Sequence, residues 1–129
     1  MMSRIREVEL LRRRARSFLA RALESFDAGD YDIAVFLAEQ AVQLHLKSVL
    51  LEKVGDYPKV HSIMTHASIL ARLPECKGLT SFLEENRAKV GLLEDAYIAS
   101  RYLVREYTRE EAEILVNFAK EVLKHGELH

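Results

Sequence analysis

The sequence contains few of the residues that interrupt helices or cross-link a chain. Two prolines and five glycines occur in 129 residues, so we expect long helices to dominate. No segment alternates apolar and polar side chains for long enough to predict a strand. The single cysteine, Cys76, cannot form an internal disulfide and has no second cysteine with which to bind zinc. These absences exclude a disulfide framework and a zinc module, and they favour a reducing, cytoplasmic setting.

Long apolar runs and an excess of one charge are also missing. The N-terminus, MMSRIREVELLRRRAR, is charged throughout, and nowhere do about 18 apolar residues follow one another, so we expect neither export nor a membrane span. The 19 Lys and Arg against 20 Asp and Glu lack the overall basic excess of a non-specific nucleic-acid binder. A chain of 129 residues suffices for one domain with a core, and we expect a single domain over 1–129.

Hydrophobic periodicity predicts four long helices and one short helix. The second is apolar nearly all round and should be central, while Thr108 and Glu111 have the spacing of a capping box at the start of the last. The predicted helices cover residues 3–26, 31–53, 61–72, 79–105 and a last segment that ends at Gly126. Short loops between them predict an all-α, antiparallel up-and-down bundle.

A repeat fold is the weaker alternative. The segment ALESFDAGDYDIAVFLAEQAVQLHL has the small-residue and aromatic pattern of a tetratricopeptide unit, which should recur after about 34 residues. The corresponding later region is GDYPKVHSIM, which is typical of a loop and the start of the short helix. The pattern therefore does not recur, and the bundle is favoured.

The segment DAYIASRYLVREY places Arg101 on the apolar line of the fourth predicted helix. Three interpretations are open: a catalytic residue, a clamp for a ligand, or an arginine held by a buried acid, for which Glu39 on the second helix is the candidate. Tyr97 lies one turn earlier on the same face, and Tyr102 is rotated by about 100°. A guanidinium could bind a phosphate in a groove lined by the two tyrosines.

Three segments in this order resemble the HEPN domain family. They are AEQAVQLHLKSVLL, the step from Pro58 to His61 into the short helix, and YIASRY at residues 97–102. The resemblance extends from about residue 6 to residue 124. It implies an up-and-down bundle of four or five helices, in agreement with the periodicity.

One branch of this family implies metal-independent cleavage of RNA. Its members use an Arg followed by four to six residues and a His, because attack by the 2′-hydroxyl of RNA needs proton transfer and a cation beside the phosphate. Counting from Arg101 reaches Glu106, Tyr107 and Thr108, none of which is His, and counting from Arg105 reaches no His either. We therefore predict no catalytic residue, and an RNase toxin with a degenerate site is the alternative function.

The other branch implies a binding module. Small prokaryotic HEPN proteins resemble the helical domain of antibiotic nucleotidyltransferases and are often encoded beside a minimal nucleotidyltransferase, in a toxin–antitoxin-like pair. By this resemblance we expect a nucleotide-binding or partner-binding module, with Arg101, Tyr97 and Tyr102 as ligand-binding residues and with no cofactor. Family members commonly pair, and the apolar central helix also favours a homodimer.

The histidines predict no metal site. His61 and His66 are five residues apart, which is off the spacing that places two ligands on one helical face, and we expect no carboxylate to accompany them. We expect His45 to be packed or hydrogen-bonded on the central helix. His125 and His129 are expected to lie in a frayed terminus.

The first predicted helix is basic. Seven arginines stand against three glutamates between residues 3 and 26, for a net charge of 7 − 3 = +4 in a chain of −1. A solvated face with many ion pairs is the default interpretation. The alternative is a surface for RNA or for an acidic partner, whose binding would depend on salt.

Overall fold

The computed structural model describes residues 3–102 and 105–125, and for residues 100–102 it describes the backbone alone. The helices are α1 (Arg4–Asp27), α2 (Tyr31–Lys53), α3 (Ile63–Leu70), a 3₁₀ turn (Pro74–Cys76), α4 (Lys77–Glu85), α5 (Arg87–Tyr102) and α6 (Arg109–Lys124). The described ranges contain no strand. The predicted all-α helical bundle is confirmed.

Helix α2 forms the centre of the bundle. It contacts α1, α3, α5 and α6, and its buried residues range from Ala34 to Leu51. Within the described residues it is the one helix long and apolar enough to cross a membrane by length and composition, yet 67% of its most apolar window is buried inside the protein. Burial of that kind is expected of the core helix of a bundle.

The turn between α1 and α2 follows from glycine chemistry. Gly29 has φ +84°, a left-handed conformation in which a side chain would be strained. Asp30 takes the N-cap position of α2 as expected, although its carboxylate makes no capping hydrogen bond. The chain therefore reverses within three residues, and α2 packs against α1 along its length.

The prediction of one continuous helix over residues 79–105 is wrong, because two helices, α4 and α5, are found there. Asn86, with φ −115° and ψ 33°, separates α4 from α5. Its side-chain Nδ2 donates to the Phe82 carbonyl at 2.8 Å, and its backbone N–H is shared between the carbonyls of Phe82 and Leu83, each at 3.2 Å. An asparagine amide that competes for backbone carbonyls favours a helix end, so the chain bends here.

The bounds of α3 differ from the prediction, whereas the start of α6 agrees with it. Helix α3 starts later than expected because Ser62 caps it, with its Oγ accepting from the Thr65 N–H at 3.1 Å, and it also ends earlier, at Leu70. The capping box of α6 is confirmed: the Glu111 N–H donates to Thr108 Oγ1 at 3.1 Å, and the Thr108 N–H donates to Glu111 Oε1 at 2.9 Å. Gly126, the predicted end of α6, lies outside the described residues.

Candidate functional site

A carboxylate lies inside the bundle. Helix α2 directs Glu39 into the core, where the residue is 0% exposed. Its Oε1 accepts a hydrogen bond from Gln40 Nε2 at 2.8 Å, and its Oε2 accepts one from Gln43 Nε2 at 3.1 Å. Buried carboxylates need such partners, and two neutral amides on the same helix provide part of them.

His61 provides the third partner of this carboxylate. Its Nε2 lies 2.6 Å from Glu39 Oε2, and the His61 side chain is 23% exposed. The expectation that no carboxylate accompanies His61 is therefore wrong. The contact joins residues 22 apart in sequence, so no local spacing could reveal it.

Tyr97 packs against the other side of this arrangement. The rings of His61 and Tyr97 are stacked, with centroids 3.5 Å apart and planes inclined by 17°. We call Glu39, His61 and Tyr97 the Glu39 cluster. It joins α2, the loop before α3, and α5. The start of α3 also contacts α5, because the Met64 N–H donates to Glu94 Oε1 at 3.2 Å.

Burial sets the electrostatics of the cluster. Desolvation raises the pKa of Glu39 from 4.5 to about 7; the amides of Gln43 and Gln40 work against this rise, and the nearby Glu94 carboxylate adds to it. The hydrogen bond to His61 needs one proton, carried by either the imidazole or the carboxyl group. The cluster can therefore change its charge near neutral pH, where few side chains titrate.

A second histidine, His66, lies close to the cluster and makes no side-chain hydrogen bond among the described residues. His66 on α3 is 0% exposed, and neither ring nitrogen has a hydrogen-bond partner among the described residues. Desolvation, followed by the charges of Lys47 and His61, lowers the pKa of His66 from 6.5 to about 4. His66 is therefore a neutral imidazole at physiological pH.

Of the sequence-predicted ligand residues, Tyr97 lies in the Glu39 cluster. The backbone of α5 continues through Tyr102, so Arg101 follows Tyr97 by about one turn. The side chains of Arg101 and Tyr102 lie outside the described residues, and an ion pair between Arg101 and Glu39 stays a prediction.

The remaining histidines are mostly packed. His45 is buried as expected, and its Nε2 lies 2.5 Å from the His125 carbonyl oxygen. The fraying expected for His125 is wrong, because its ring stacks on Phe82 with centroids 4.5 Å apart; His129 lies outside the described residues. Within the ranges 3–102 and 105–125, no group of three His, Cys, Asp or Glu could hold a metal ion.

Comparison with known proteins identifies a family and a similar solved structure. The model of the HEPN domain matches residues 8–128. The crystal structure of TT1696 from Thermus thermophilus is similar, with a TM-score of 0.69 and 31% sequence identity over 91% of this chain and 93% of that chain. No curated protein matches the chain.

Proposed function

The chain belongs to the HEPN domain family, and on that premise we propose that it is a binding module that holds a nucleotide at the Glu39 cluster and works with a minimal nucleotidyltransferase. The observation that carries this proposal is the stacked pair of His61 and Tyr97 fixed to a buried carboxylate. Flat rings of this kind stack on nucleobases, and such stacking tolerates different bases.

The parts of the cluster have separate roles in this proposal. Glu39 holds the His61 ring through the 2.6 Å contact, and the ring in turn orients Tyr97. Tyr97 contacts the base or ribose, and Arg101, about one turn further along α5, binds a phosphate through its guanidinium. We also assign Tyr102, the next residue along α5, to the ligand. The module supplies binding and no catalytic group of its own.

Binding of ATP and AMP to the purified protein tests the proposal, with calorimetry as the measurement. We expect saturable binding that Tyr97→Leu weakens by at least about fivefold, because one base–aromatic stack contributes about 1–3 kcal/mol. Tyr31→Leu is the matched control, since Tyr31 is also half-buried and contacts one aromatic ring, that of Phe26 at 5.6 Å. Equal affinities of the two variants would refute the assignment of Tyr97.

The protein partner is tested separately. The expected genetic context is an adjacent gene for a minimal nucleotidyltransferase. Co-expression of the two proteins should give a complex that elutes as one species in size-exclusion chromatography. Separate elution at micromolar concentrations would remove the partner from the proposal and leave nucleotide binding standing.

One observation favours a second candidate function, metal-independent cleavage of RNA. His61 comes from another part of the chain than the expected motif, yet it stacks on Tyr97 and is bonded to a carboxylate. A histidine oriented by a carboxylate is a common proton-transfer arrangement. His61 would take the 2′-hydroxyl proton while the 2′-oxygen attacks phosphorus. The 5′-oxygen would leave and take a proton from water, while the protonated His61 returns its proton to the solvent, giving a 2′,3′-cyclic phosphate and a 5′-hydroxyl end.

Labelled RNA incubated with the protein in the presence of a chelator distinguishes the two functions. Cleavage that is lost in both His61→Ala and Arg101→Ala would establish the second function. Intact RNA together with saturable nucleotide binding is the result expected of the binding module.

A further inference from the structure

The outer face of α1 is rich in arginine, and three of its exposed arginines form no ion pair among the described residues. All seven basic residues of α1 are arginines and none is a lysine. Arg12 Nη2 forms an ion pair with Glu52 Oε1 at 2.8 Å, whereas exposed Arg4, Arg6 and Arg13 make none among the described residues. The expectation of a face laced with ion pairs is wrong for these three, because an exposed pair gains too little to fix two long side chains.

Two shallow depressions lie side by side on the N-terminal half of α1. One, of about 210 Å³, is lined by Arg4, Ile5, Val8, Glu9, Arg12 and Glu52. The other, of about 350 Å³, is lined by Arg6, Glu9, Leu10 and Arg13. Glu9 lines both and separates them. Each depression thus offers two guanidinium groups next to an apolar side chain.

Arg12 leaves one donor unused in the smaller depression. Its Nη2 binds Glu52, but its Nε–H is buried and has no acceptor among the described residues. A buried donor without an acceptor is costly and calls for an explanation. Arg4 lies at the other side of this depression, close to the end of α2. Its Nη1 is so near Gly55 that a Cβ at that position would lie 3.0 Å from it. An incoming carboxylate would find the exposed guanidinium of Arg4 here, whereas the buried Nε–H of Arg12 is not accessible to it.

We propose that the N-terminal half of α1 is a docking surface for an acidic amphipathic helix of a protein partner. Arg6 and Arg13 are seven residues apart, about 10.5 Å along the helix axis, which matches carboxylates two turns apart on a partner helix. Guanidinium forks suit carboxylates. Ile5, which is 71% exposed, supplies the apolar contact that such a helix needs.

The same residues argue against a nucleic acid at this surface. Glu9 lies between the two depressions, so a continuous phosphodiester chain would pass close to a carboxylate. A protein helix can place a basic or neutral side chain opposite Glu9 instead. The mixture of charges and apolar groups therefore favours a protein partner.

This surface is separate from the Glu39 cluster. Glu52, which borders the smaller depression, and Glu39 leave α2 about 140° apart by helix geometry. The docking surface does not depend on nucleotide binding at the cluster. Failure of one proposal leaves the other untouched.

The test uses a fluorescent amphipathic helical peptide with two glutamates seven positions apart and leucines between them, in low salt. We expect saturable binding measured by anisotropy. The double variant Arg6→Glu, Arg13→Glu should weaken it at least about tenfold, because like charges then face the peptide. Both substituted positions are exposed, and circular dichroism should show an unchanged fold.

The matched control is Arg72→Glu, Lys77→Glu, whose two basic residues are also exposed but lie elsewhere. Each double variant lowers the net charge by the same amount, so long-range repulsion is equal. Binding that both variants weaken equally would overturn the proposal, and so would no binding of the peptide. Tighter binding of an oligouridylate of similar length, lost in the α1 variant, would show a phosphate-binding surface and overturn it as well.

Discussion

At the scale of single residues, two buried histidines show how little burial alone says about a polar side chain. His45 is 1% exposed and His66 is 0% exposed. His45 Nε2 contacts the His125 carbonyl oxygen at 2.5 Å, whereas both ring nitrogens of His66 lack a partner among the described residues. On folding, His45 replaces hydrogen bonds to water with hydrogen bonds to the protein, whereas His66 loses its hydrogen bonds to water and gains none from the described residues.

This difference predicts opposite effects of the same substitution at neutral pH. His66→Leu should raise the free energy of unfolding by about 1–3 kcal/mol, because it removes a buried polar group that has no hydrogen bond. His45→Leu should lower it, since the His125 carbonyl loses its partner. Urea denaturation of both variants measures the effects. A loss of stability in His66→Leu would show that the ring is hydrogen-bonded in solution.

At the scale of helices, the number and length of the hydrogen bonds in an N-terminal cap should decide how much that cap contributes to stability. Thr108 and Glu111 exchange two hydrogen bonds at the start of α6, whereas Ser3 accepts one, at 3.3 Å, at the start of α1. Thr108→Ala should therefore cost about 1 kcal/mol of stability. Ser3→Ala, the matched change, should cost less, and equal losses in thermal denaturation would contradict this ranking.

The sequence predicts the helices well where apolar spacing and caps agree. Helices α1 and α2 begin and end within one residue of the prediction, and the capping box at Thr108 is found. The break at Asn86 is missed because the apolar line from Leu83 to Val90 continues across it. Helix α4 ends because of the backbone conformation of Asn86 and the hydrogen bond from its side-chain amide to the Phe82 carbonyl.

The candidate site was only partly accessible from the sequence. The apolar residues around Glu39 indicate an inward-facing acid, and the helical line places Tyr97 on the same inner side. His61 could not be assigned, because its contacts with Glu39 and Tyr97 arise from tertiary packing between elements distant in sequence. A loop histidine has no periodicity that could reveal the direction of its ring.

At the scale of the whole molecule, exposed apolar side chains predict self-association. Among the described residues, seven large apolar side chains are exposed, and two of them, Leu92 and Ile98, lie on α5. Leu92 and Ile98 lie about 120° apart around the helix axis, and we predict a homodimer that covers α5 at both of them. The variant Leu92→Lys, Ile98→Lys should be monomeric in multi-angle light scattering, while Ile5→Lys should leave the dimer intact. A wild-type monomer at high micromolar concentration would refute the prediction.

The pH dependence of stability combines two buried groups with opposite effects. The pKa of Glu39 is raised on folding from 4.5 to about 7, so its favourable contribution is complete below pH 4.5 and is lost as the pH rises to about 7. The pKa of His66 is lowered from 6.5 to about 4, so its contribution is complete above pH 6.5 and is lost as the pH falls to about 4. Each effect amounts to about 3 kcal/mol, and over nearly the same range the two oppose each other.

Single substitutions should therefore reveal a pH dependence of the free energy of unfolding that largely cancels in the wild type. Relative to the wild type, Glu39→Gln should lose stability as the pH falls from 7 to 4.5, because the His66 effect then acts alone. His66→Leu should gain stability over the same range, because the Glu39 effect acts alone. Urea unfolding at several pH values gives each difference from the wild type. Differences that stay constant between pH 4.5 and 7 would show that neither group changes its pKa on folding.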